Sequence, residues 1–496
     1  MSLYLLRGAL RDAPRHRRIP ACGVSGKREI VMDRKLAVTR CALLVCALTL
    51  VACSDKPDAP SLLAPTRDGT ADRATPPGAL TAEQVRTLAL SRGFAPVPTN
   101  PRVRPALMKL GQALAFDPIL GGNRNVACTT CHLPAFALGD AKPLSVGEGG
   151  VGFGPARTHP NGTFIARNAP PFFNLATMRH LFWDGRVELT TPGHVNTPAG
   201  TQITPAMQRS FEFGAISAIG MFPVTSRAEM RGLSGNELAA IPDDDNPAIW
   251  RGLMHRLGEI PEYRRMFRQA YPDREFEQLT FADAANAIGG FLVDAGYSAN
   301  TPWDRFLRGN DRALTPSQLD GANTFLALKC STCHSGALLS DDDFHDVAVA
   351  QIGPGEGDGM SLHDDFGRMR VTGNVGDRYR FRTSPLRNVE LTGPYGHDGS
   401  FTSLRAFVEH YSESDLKLLA FDPMTLDPSL RGTLQATAPD ILLQRDPLLA
   451  GVVLTPDVVD KLMAYMSALT DDGARDLSHL IPLRVPSGLP VQPARK

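Results

Sequence analysis

Two five-residue stretches constrain this chain more than any other feature: Cys128-Thr-Thr-Cys131-His132 and Cys330-Ser-Thr-Cys333-His334. Of the 8 cysteines, Cys22, Cys41, Cys46 and Cys53 lie near the N-terminus, so these two pairs are all the cysteine the body of the chain owns. In an exported protein, Cys-x-x-Cys-His is the attachment pattern of c-type haem. Two thiols three positions apart reach the two vinyl groups, and the adjacent histidine is placed to give its imidazole to iron, whose axial ligands set its potential. A redox dithiol would need a strand-to-helix setting that neither stretch has. A four-cysteine zinc site would require the pairs to meet across some 200 residues of chain. The expected cofactors are therefore two covalently bound haem c groups, held by Cys128, Cys131, Cys330 and Cys333, with His132 and His334 on the iron.

The N-terminus supports export. Residues 41–52, CALLVCALTLVA, are small or apolar and follow Arg34, Lys35 and Arg40. A spanning helix needs about 20 such residues, so the stretch reads as a signal-peptide core. Leu50-Val51-Ala52-Cys53 resembles a lipobox, with Cys53 as the lipid anchor and Ser54 in place of an inner-membrane retention aspartate. A plain secreted protein cleaved nearby is the alternative. Either places the protein on the periplasmic side of a bacterial envelope, the first tethered to the outer membrane. Net charge is zero over the whole chain, 52 basic against 52 acidic residues. Residues 1–52 carry 10 of the basic and 3 of the acidic residues, so the remainder is acidic, 42 against 49. That balance argues against nucleic acid as a partner.

Each haem motif follows a helical pattern. Leu107, Leu110, Ala113 and Leu114 recur at helical spacing before a Gly-Gly break. Ahead of the second motif, Thr315 is an N-cap, Pro316 suits the first turn, Gln318 completes a capping box, and Leu319, Ala322, Phe325 and Leu326 form the buried stripe. Little alternates as a strand would. The expected fold class is mainly α, with two cytochrome-c-like haem domains. The expected boundaries are an extension and lipoprotein-type signal at 1–52, a tether and lead-in at 53–94, a catalytic haem domain at 95–309, an electron-transfer haem domain at 310–475, and a Pro-rich tail at 476–496.

In their order along residues 100–475, several segments resemble the bacterial di-haem cytochrome c peroxidase superfamily, which includes the enzyme that matures methylamine dehydrogenase. They are the two haem motifs, Arg167-Asn168-Ala169-Pro170, Phe182-Trp183-Asp184-Gly185-Arg186, Arg305-Phe-Leu-Arg-Gly, and Ser384-Pro-Leu-Arg-Asn-Val-Glu-Leu-Thr-Gly-Pro-Tyr-Gly-His-Asp-Gly399. The resemblance implies an oxidoreductase that uses hydrogen peroxide, drawing electrons from a small redox protein or an oxidisable protein substrate. It also implies that Trp183 lies between the haems as a hopping site, where the residues alone would equally allow a packing aromatic. It implies an inter-haem calcium ion at Asn168, Thr392 and Pro394, although no aspartate-rich calcium signature is present. Glu229, six residues after Pro223, matches the family's distal catalytic glutamate. A carboxyl in an apolar pocket can be raised toward neutrality and serve as acid and base, whereas a solvated turn residue beside Arg227 would not.

Two departures from the family pattern bear on reactivity. A family glutamine four residues before the pocket proline is Ile219 here, and the loop histidine that caps the first iron in resting peroxidases is replaced by Glu148, leaving His159 as a distant candidate. At the second haem, the family methionine, fourteen residues after the position of His397, is Tyr411. Leu404, Phe407, Val408 and Tyr411 share one helical face, as a core tyrosine also would. The resemblance to the maturation enzyme implies that Tyr411 ligates the second iron, with His410 about 100° round the helix as the rival and Met360, Met369 and Met424 behind it. Phenolate is harder than thioether and lowers the iron's potential, which suits storing an oxidising equivalent better than accepting electrons from a cytochrome. Arg382 or Arg387 and His397 are candidates for contacts near the second haem. The alternative functions are a tyrosine-ligated di-haem oxidase that modifies a partner protein, a non-catalytic electron-transfer di-haem protein, and a haem-based sensor.

Overall fold

The computed structural model describes residues 80–491; the signal segment, Cys53 and most of the tether lie outside that range, as do the last five residues. The chain is mainly helical, as the periodicities indicate. The helices that frame the two cores and cavities are α1 (Ala82–Ser91), α2 (Pro105–Phe116), α3 (Asn246–Gly258), α4 (Pro261–Ala270), α5 (Phe281–Ala295), α6 (Pro302–Leu307), α7 (Pro316–Ala327), α8 (Leu404–His410) and α9 (Pro456–Ser467). Long irregular segments rich in Gly and Pro join them. The Phe182–Arg186 motif joins the first two strands of a small antiparallel sheet, β1 (His180–Leu181), β2 (Val187–Thr191) and β3 (His194–Asn196), which buries Leu181, Val187 and Val195.

The sequence signals account for the two helices that lead into the haem motifs. In α2, Leu107, Leu110, Ala113 and Leu114 are all buried. In α7, Gln318 N donates to Thr315 Oγ1 at 3.3 Å and Thr315 N donates to Gln318 Oε1 at 3.0 Å, which closes the capping box. Each of these helices also carries one glycine against a later helix. A Cβ on Gly111 would run into the backbone carbonyl of Ala287 in α5, and one on Gly321 would run into that of Lys461 in α9. The absent side chain lets the backbones meet, so α2 pairs with α5 and α7 with α9.

Two large apolar cores result. The first holds Leu107, Leu110, Leu114, Leu253, Phe267 and Phe291. The second holds Trp303, Phe306, Phe325, Leu462, Tyr465 and Met466. The chain ends cross between them. Val85 and Ala89 of α1, with Phe94, pack into the second core, although they precede the first haem motif. Leu477, Leu480, Ile481 and Val485 return to the first core. Gln112 Nε2 donates to Leu480 O at 2.8 Å, and Ser487 Oγ donates to the buried Asp117 at 2.6 Å. The lead-in and tail are thus packed structure over their described parts, each bound to the half of the chain farther from it in sequence.

Candidate active site

Cys128–Thr130 forms a single 3₁₀ turn and Cys330–Cys333 a single helical turn, each presenting its thiols and histidine to its own cavity. His132 Nδ1 donates to Leu138 O at 3.1 Å, and His334 Nδ1 donates to Leu339 O at 3.0 Å. A carbonyl can only accept, so Nδ1 carries the proton and Nε2 keeps a lone pair; this is the arrangement that orients a metal-ligating imidazole. Burial pushes His132 down to about 4 and lowers His334 as well, and both shifts favour the neutral imidazole. Both acceptor residues are leucines with left-handed backbone, φ 63° and 55°. That conformation is uncommon for a side chain of this size, and it turns each carbonyl back onto its histidine. The donor set therefore fits c-type haem at both places: two thiols outside any disulfide and an adjacent imidazole oriented through Nδ1.

The first cavity is lined by Cys128, Cys131 and His132, with Phe172 stacked on the His132 ring at 3.7 Å. Glu229, Arg186, Ile219 and Pro223 also line it. Glu229 sits in a π-turn, Arg227–Arg231, capped by Ser226. Burial pushes its carboxyl up, Arg186 at 4.0 Å opposes, and the negative charge of Glu356 adds to the rise. This is the environment expected of a carboxyl that must both hold and release a proton. Neither loop candidate lines this cavity. His159 Nδ1 accepts from Asn161 N at 3.1 Å, and Glu148 accepts from Asn123 and Asn125 at 2.7 and 3.1 Å.

Trp183 lines both cavities. Its indole N–H donates to Asn168 O at 2.9 Å, and its carbonyl accepts from Arg382 N at 2.8 Å. Beneath it, Arg167 ties the halves of the chain together. It makes a bidentate pair with Asp365 at 2.6 and 2.8 Å and a bond to Asp184 at 2.6 Å, with all three side chains buried. Burial pushes both aspartates upward, but the guanidinium charge outweighs it and holds them below the ordinary carboxylate range.

The second cavity is lined by Cys330, Cys333, His334 and Tyr411, together with Asn168, Thr392 and Pro394. Asn168 Nδ2 donates to Lys142 O at 2.8 Å and to Pro143 O at 3.2 Å. Tyr411 follows directly on α8, and burial pushes its hydroxyl up. The rivals lie elsewhere. His410 Nε2 donates to Val347 O at 2.9 Å, Met360 and Met424 are exposed, and neither they, Met369 nor His410 lines the cavity. The two arginines divide. Arg387 is fully engaged with Asp304, Thr301 and the Ala337 carbonyl. Arg382 is buried with only two carbonyl bonds and its nearest carboxylate, Asp342, at 4.0 Å; burial pushes it down to about 10. His397 is buried and stacked on Phe381 at 3.6 Å.

Two groups in these cavities escaped sequence reasoning. His345 bridges Asp446 at 2.6 Å and Asp341 at 3.0 Å beside Cys333; the Asp341 bond, the Cys333 sulfur and the Asp446 bond raise it to about 11 against the opposing effect of burial. Nothing in its local sequence marks it. Glu356 lines the first cavity from the opposite half of the chain; its signal was the alternating glycine loop around it.

The di-haem cytochrome c peroxidase family profile matches residues 105–312. The chain is a homologue of the bacterial di-haem cytochrome c peroxidases. Among its relatives is cytochrome-c peroxidase IdrP2 of Pseudomonas sp. strain SCT, 26% identical over 384 residues, covering 74% of this chain and 88% of that protein. Cytochrome c551 peroxidase of Pseudomonas aeruginosa is 29% identical, covering 63% and 74%. The methylamine utilization protein MauG of Methylorubrum extorquens is 27% identical, covering 64% and 71%. In fold, this peroxidase homologue matches a MauG-like protein associated with microbial copper homeostasis, with TM-score 0.52, 24% identity and 77% and 94% coverage. It also matches the di-haem peroxidase BthA of Burkholderia thailandensis, with TM-score 0.51, 20% identity and 76% and 88% coverage. The homologue is a cytochrome-c-peroxidase-like oxidoreductase.

Proposed function

We propose that this homologue couples hydrogen peroxide at the first cavity to oxidation of a protein at the second, with tyrosine on the second iron. The observation that carries the reading is Trp183 in the wall of both cavities, with Glu229 in one and Tyr411 in the other. Each half of the chain, 95–309 and 310–475, would carry one haem. Bound haem supplies the redox chemistry, an iron that accepts oxidising equivalents from peroxide and passes them on. His132 and His334 would hold the iron, each ring oriented by its Nδ1 hydrogen bond. Glu229 takes the proton from one peroxide oxygen and returns it to the other, which turns a poor leaving group into water. Ile219 leaves the carboxyl without an amide neighbour at that position. Trp183 offers an oxidisable ring between the centres, and the underpaired Arg382 offers its guanidinium to a haem carboxylate.

Calcium at Asn168, Thr392 and Pro394 belongs to the same reading: the three line the cavity wall beside Trp183, and oxygen donors suit that hard ion. So do export and a lipid anchor at Cys53, which would put the enzyme where peroxide and redox proteins meet. A macromolecular reductant is favoured because Tyr411, as ligand, would give the second iron a hard donor and so lower its potential. The test is paramagnetic resonance of the ferric haem-loaded protein, parent against Tyr411→Phe, before and after peroxide. One high-spin and one low-spin haem are expected, the low-spin signal changing in the variant. An unchanged low-spin signal would remove tyrosine from the iron. Oxidation of added reduced cytochrome c by peroxide separates turnover on a small donor from oxidation of a protein substrate, and peroxide reactivity in neither redox state would leave only electron transfer.

A further inference from the structure

Peroxide reduction consumes protons as well as electrons: H₂O₂ + 2 H⁺ + 2 e⁻ → 2 H₂O. A carboxyl that moves one proton between the two oxygens does not supply the pair that must arrive from water. The first cavity holds a second carboxylate that nothing in the proton bookkeeping has yet used. Glu356 enters it on the loop Gly353-Pro-Gly-Glu356-Gly-Asp-Gly359, whose four glycines all have φ between 60° and 85°. That left-handed alternation admits glycine and little else; a Cβ at Gly355 would strike the His363 backbone, and one at Gly359 the Asp364 carboxylate. The backbone of Glu356 is pinned at both ends. Its N–H donates to Asp364 O at 2.9 Å, and its carbonyl accepts from Arg370 Nη1 at 2.8 Å.

Its side chain, by contrast, is not tied down. The carboxylate stands 3.8 Å from Arg167 Nε and 3.7 Å from Arg370 Nη2, close enough for attraction and too far for a hydrogen bond. Arg167 spends its donors on Asp365 and Asp184, and Arg370 spends one on Asp358. At 30% exposure the Glu356 side chain reaches water somewhat more than Glu229 does at 25%, while the carboxylates that hold Arg167 are 3% and 4% exposed. The charges bearing on Glu229 are Arg186 at 4.0 Å, Arg167 and Glu356 itself, with the Asp184 carboxylate behind the two arginines.

We propose that Glu356 is the proton relay of the first cavity, taking protons from water and passing them toward Glu229. The inference rests on the reading of Glu229 as the group that handles the peroxide proton. Electrons come from the protein donor already named, and each proton that Glu356 releases is replaced from solvent. The negative charge of Glu356 raises the Glu229 carboxyl, so the two groups that line the cavity are electrostatically coupled. Glu356 touches neither thiol nor histidine of the haem site, so its replacement leaves attachment intact.

The test uses the haem-loaded full chain with Glu356→Gln, Glu356→Asp and Glu229→Gln. The carboxyl band of Glu229, assigned in infrared difference spectra by its loss in Glu229→Gln, is titrated with pH. Its midpoint should move down in Glu356→Gln, because a negative neighbour is gone. Peroxide turnover in Glu356→Gln should fall about tenfold, less than the roughly 100-fold or more expected for a group that moves the peroxide proton itself. The loss should deepen as pH rises, with a larger solvent isotope effect and an unchanged KM for peroxide. Small weak acids in the buffer, or Glu356→Asp, should restore the rate. A Glu356→Gln enzyme within twofold of the parent at every pH overturns the relay. So does one that is slow at every pH with an unmoved Glu229 midpoint and no rescue, since that is the mark of a structural role. Full turnover in Glu229→Gln would instead overturn the reading of Glu229 and the relay with it.

Discussion

Arg387→Met removes half of an ion pair that has no access to water. Arg387 and Asp304 are both 0% exposed, with Nη1 and Oδ2 3.0 Å apart. The guanidinium also donates to Thr301 Oγ1 at 2.9 Å and, through Nε and Nη2, to Ala337 O at 3.0 and 2.9 Å. Asp304 accepts from Val97 N at 3.1 Å and Thr301 Oγ1 at 2.7 Å. One contact set thus joins the extended segment after α1, the start of α6 and the wall of the second cavity. Methionine fills part of the volume and leaves the carboxylate buried against neutral donors only. Breaking a buried pair from one side costs about 3–5 kcal/mol, because the stranded charge keeps its desolvation penalty. At about 1.4 kcal/mol per factor of ten, the folded-to-unfolded ratio should drop by roughly two to three and a half orders of magnitude. Urea titration of the haem-loaded protein, followed by circular dichroism, reads this as a lower midpoint at unchanged slope. Adding Asp304→Asn should recover part of the loss, since no unpaired charge then remains. A single-variant cost below about 1 kcal/mol, or strictly additive costs, would refute the reasoning.

Other consequences can be checked separately. Glu229→Gln should lower peroxide turnover by about 10²–10⁴-fold with both haem spectra intact, measured by stopped-flow oxidation of a reduced donor. Gly111→Ala pushes a methyl into the Ala287 carbonyl and should destabilise by about 1–3 kcal/mol in the same urea assay, through separation of α2 from α5. Asp184 and Asp365 titrate below their unfolded range in the folded state. Their stabilisation is therefore complete above about pH 4 and is lost as pH falls through the folded values. Melting temperature should fall across that acid window, and Arg167→Gln should flatten the fall. Asp346 works in the opposite sense: burial pushes it up to about 7, so its contribution is full below about pH 4 and fades toward neutrality. Asp346→Asn should raise stability at pH 7 and leave it little changed at pH 4.

The choice between Tyr411 and His410 shows how far periodicity carries. Both lie on the inward side of one short helix, about 100° apart, and spacing alone cannot rank them. The Val347 carbonyl, from a segment remote in sequence, takes the His410 proton and leaves Tyr411 to the cavity. Arg382 and Arg387 were equally placed on paper. Their difference is the presence of Asp304 beside one and the distance of Asp342 from the other. Composition marks the lead-in and the tail as loop-rich, and where their described parts return is decided by packing: Val85, Ala89 and Phe94 in one core, Leu477, Leu480 and Ile481 in the other.

What the amino-acid order alone determined here is short-range: the Cys-x-x-Cys-His pattern within five residues, the helix stripe and cap that precede it, and the order of segments that resembles the di-haem peroxidases. These depend on covalent reach and on contacts one or two helical turns apart. The tertiary structure decided which carbonyl holds each histidine, which side chain at the end of α8 meets the second cavity, and that Glu356 stands in the cavity of Glu229. Each of those outcomes needs groups far apart in the chain to be brought within hydrogen-bond or Coulomb distance, and only close packing of the folded interior does that.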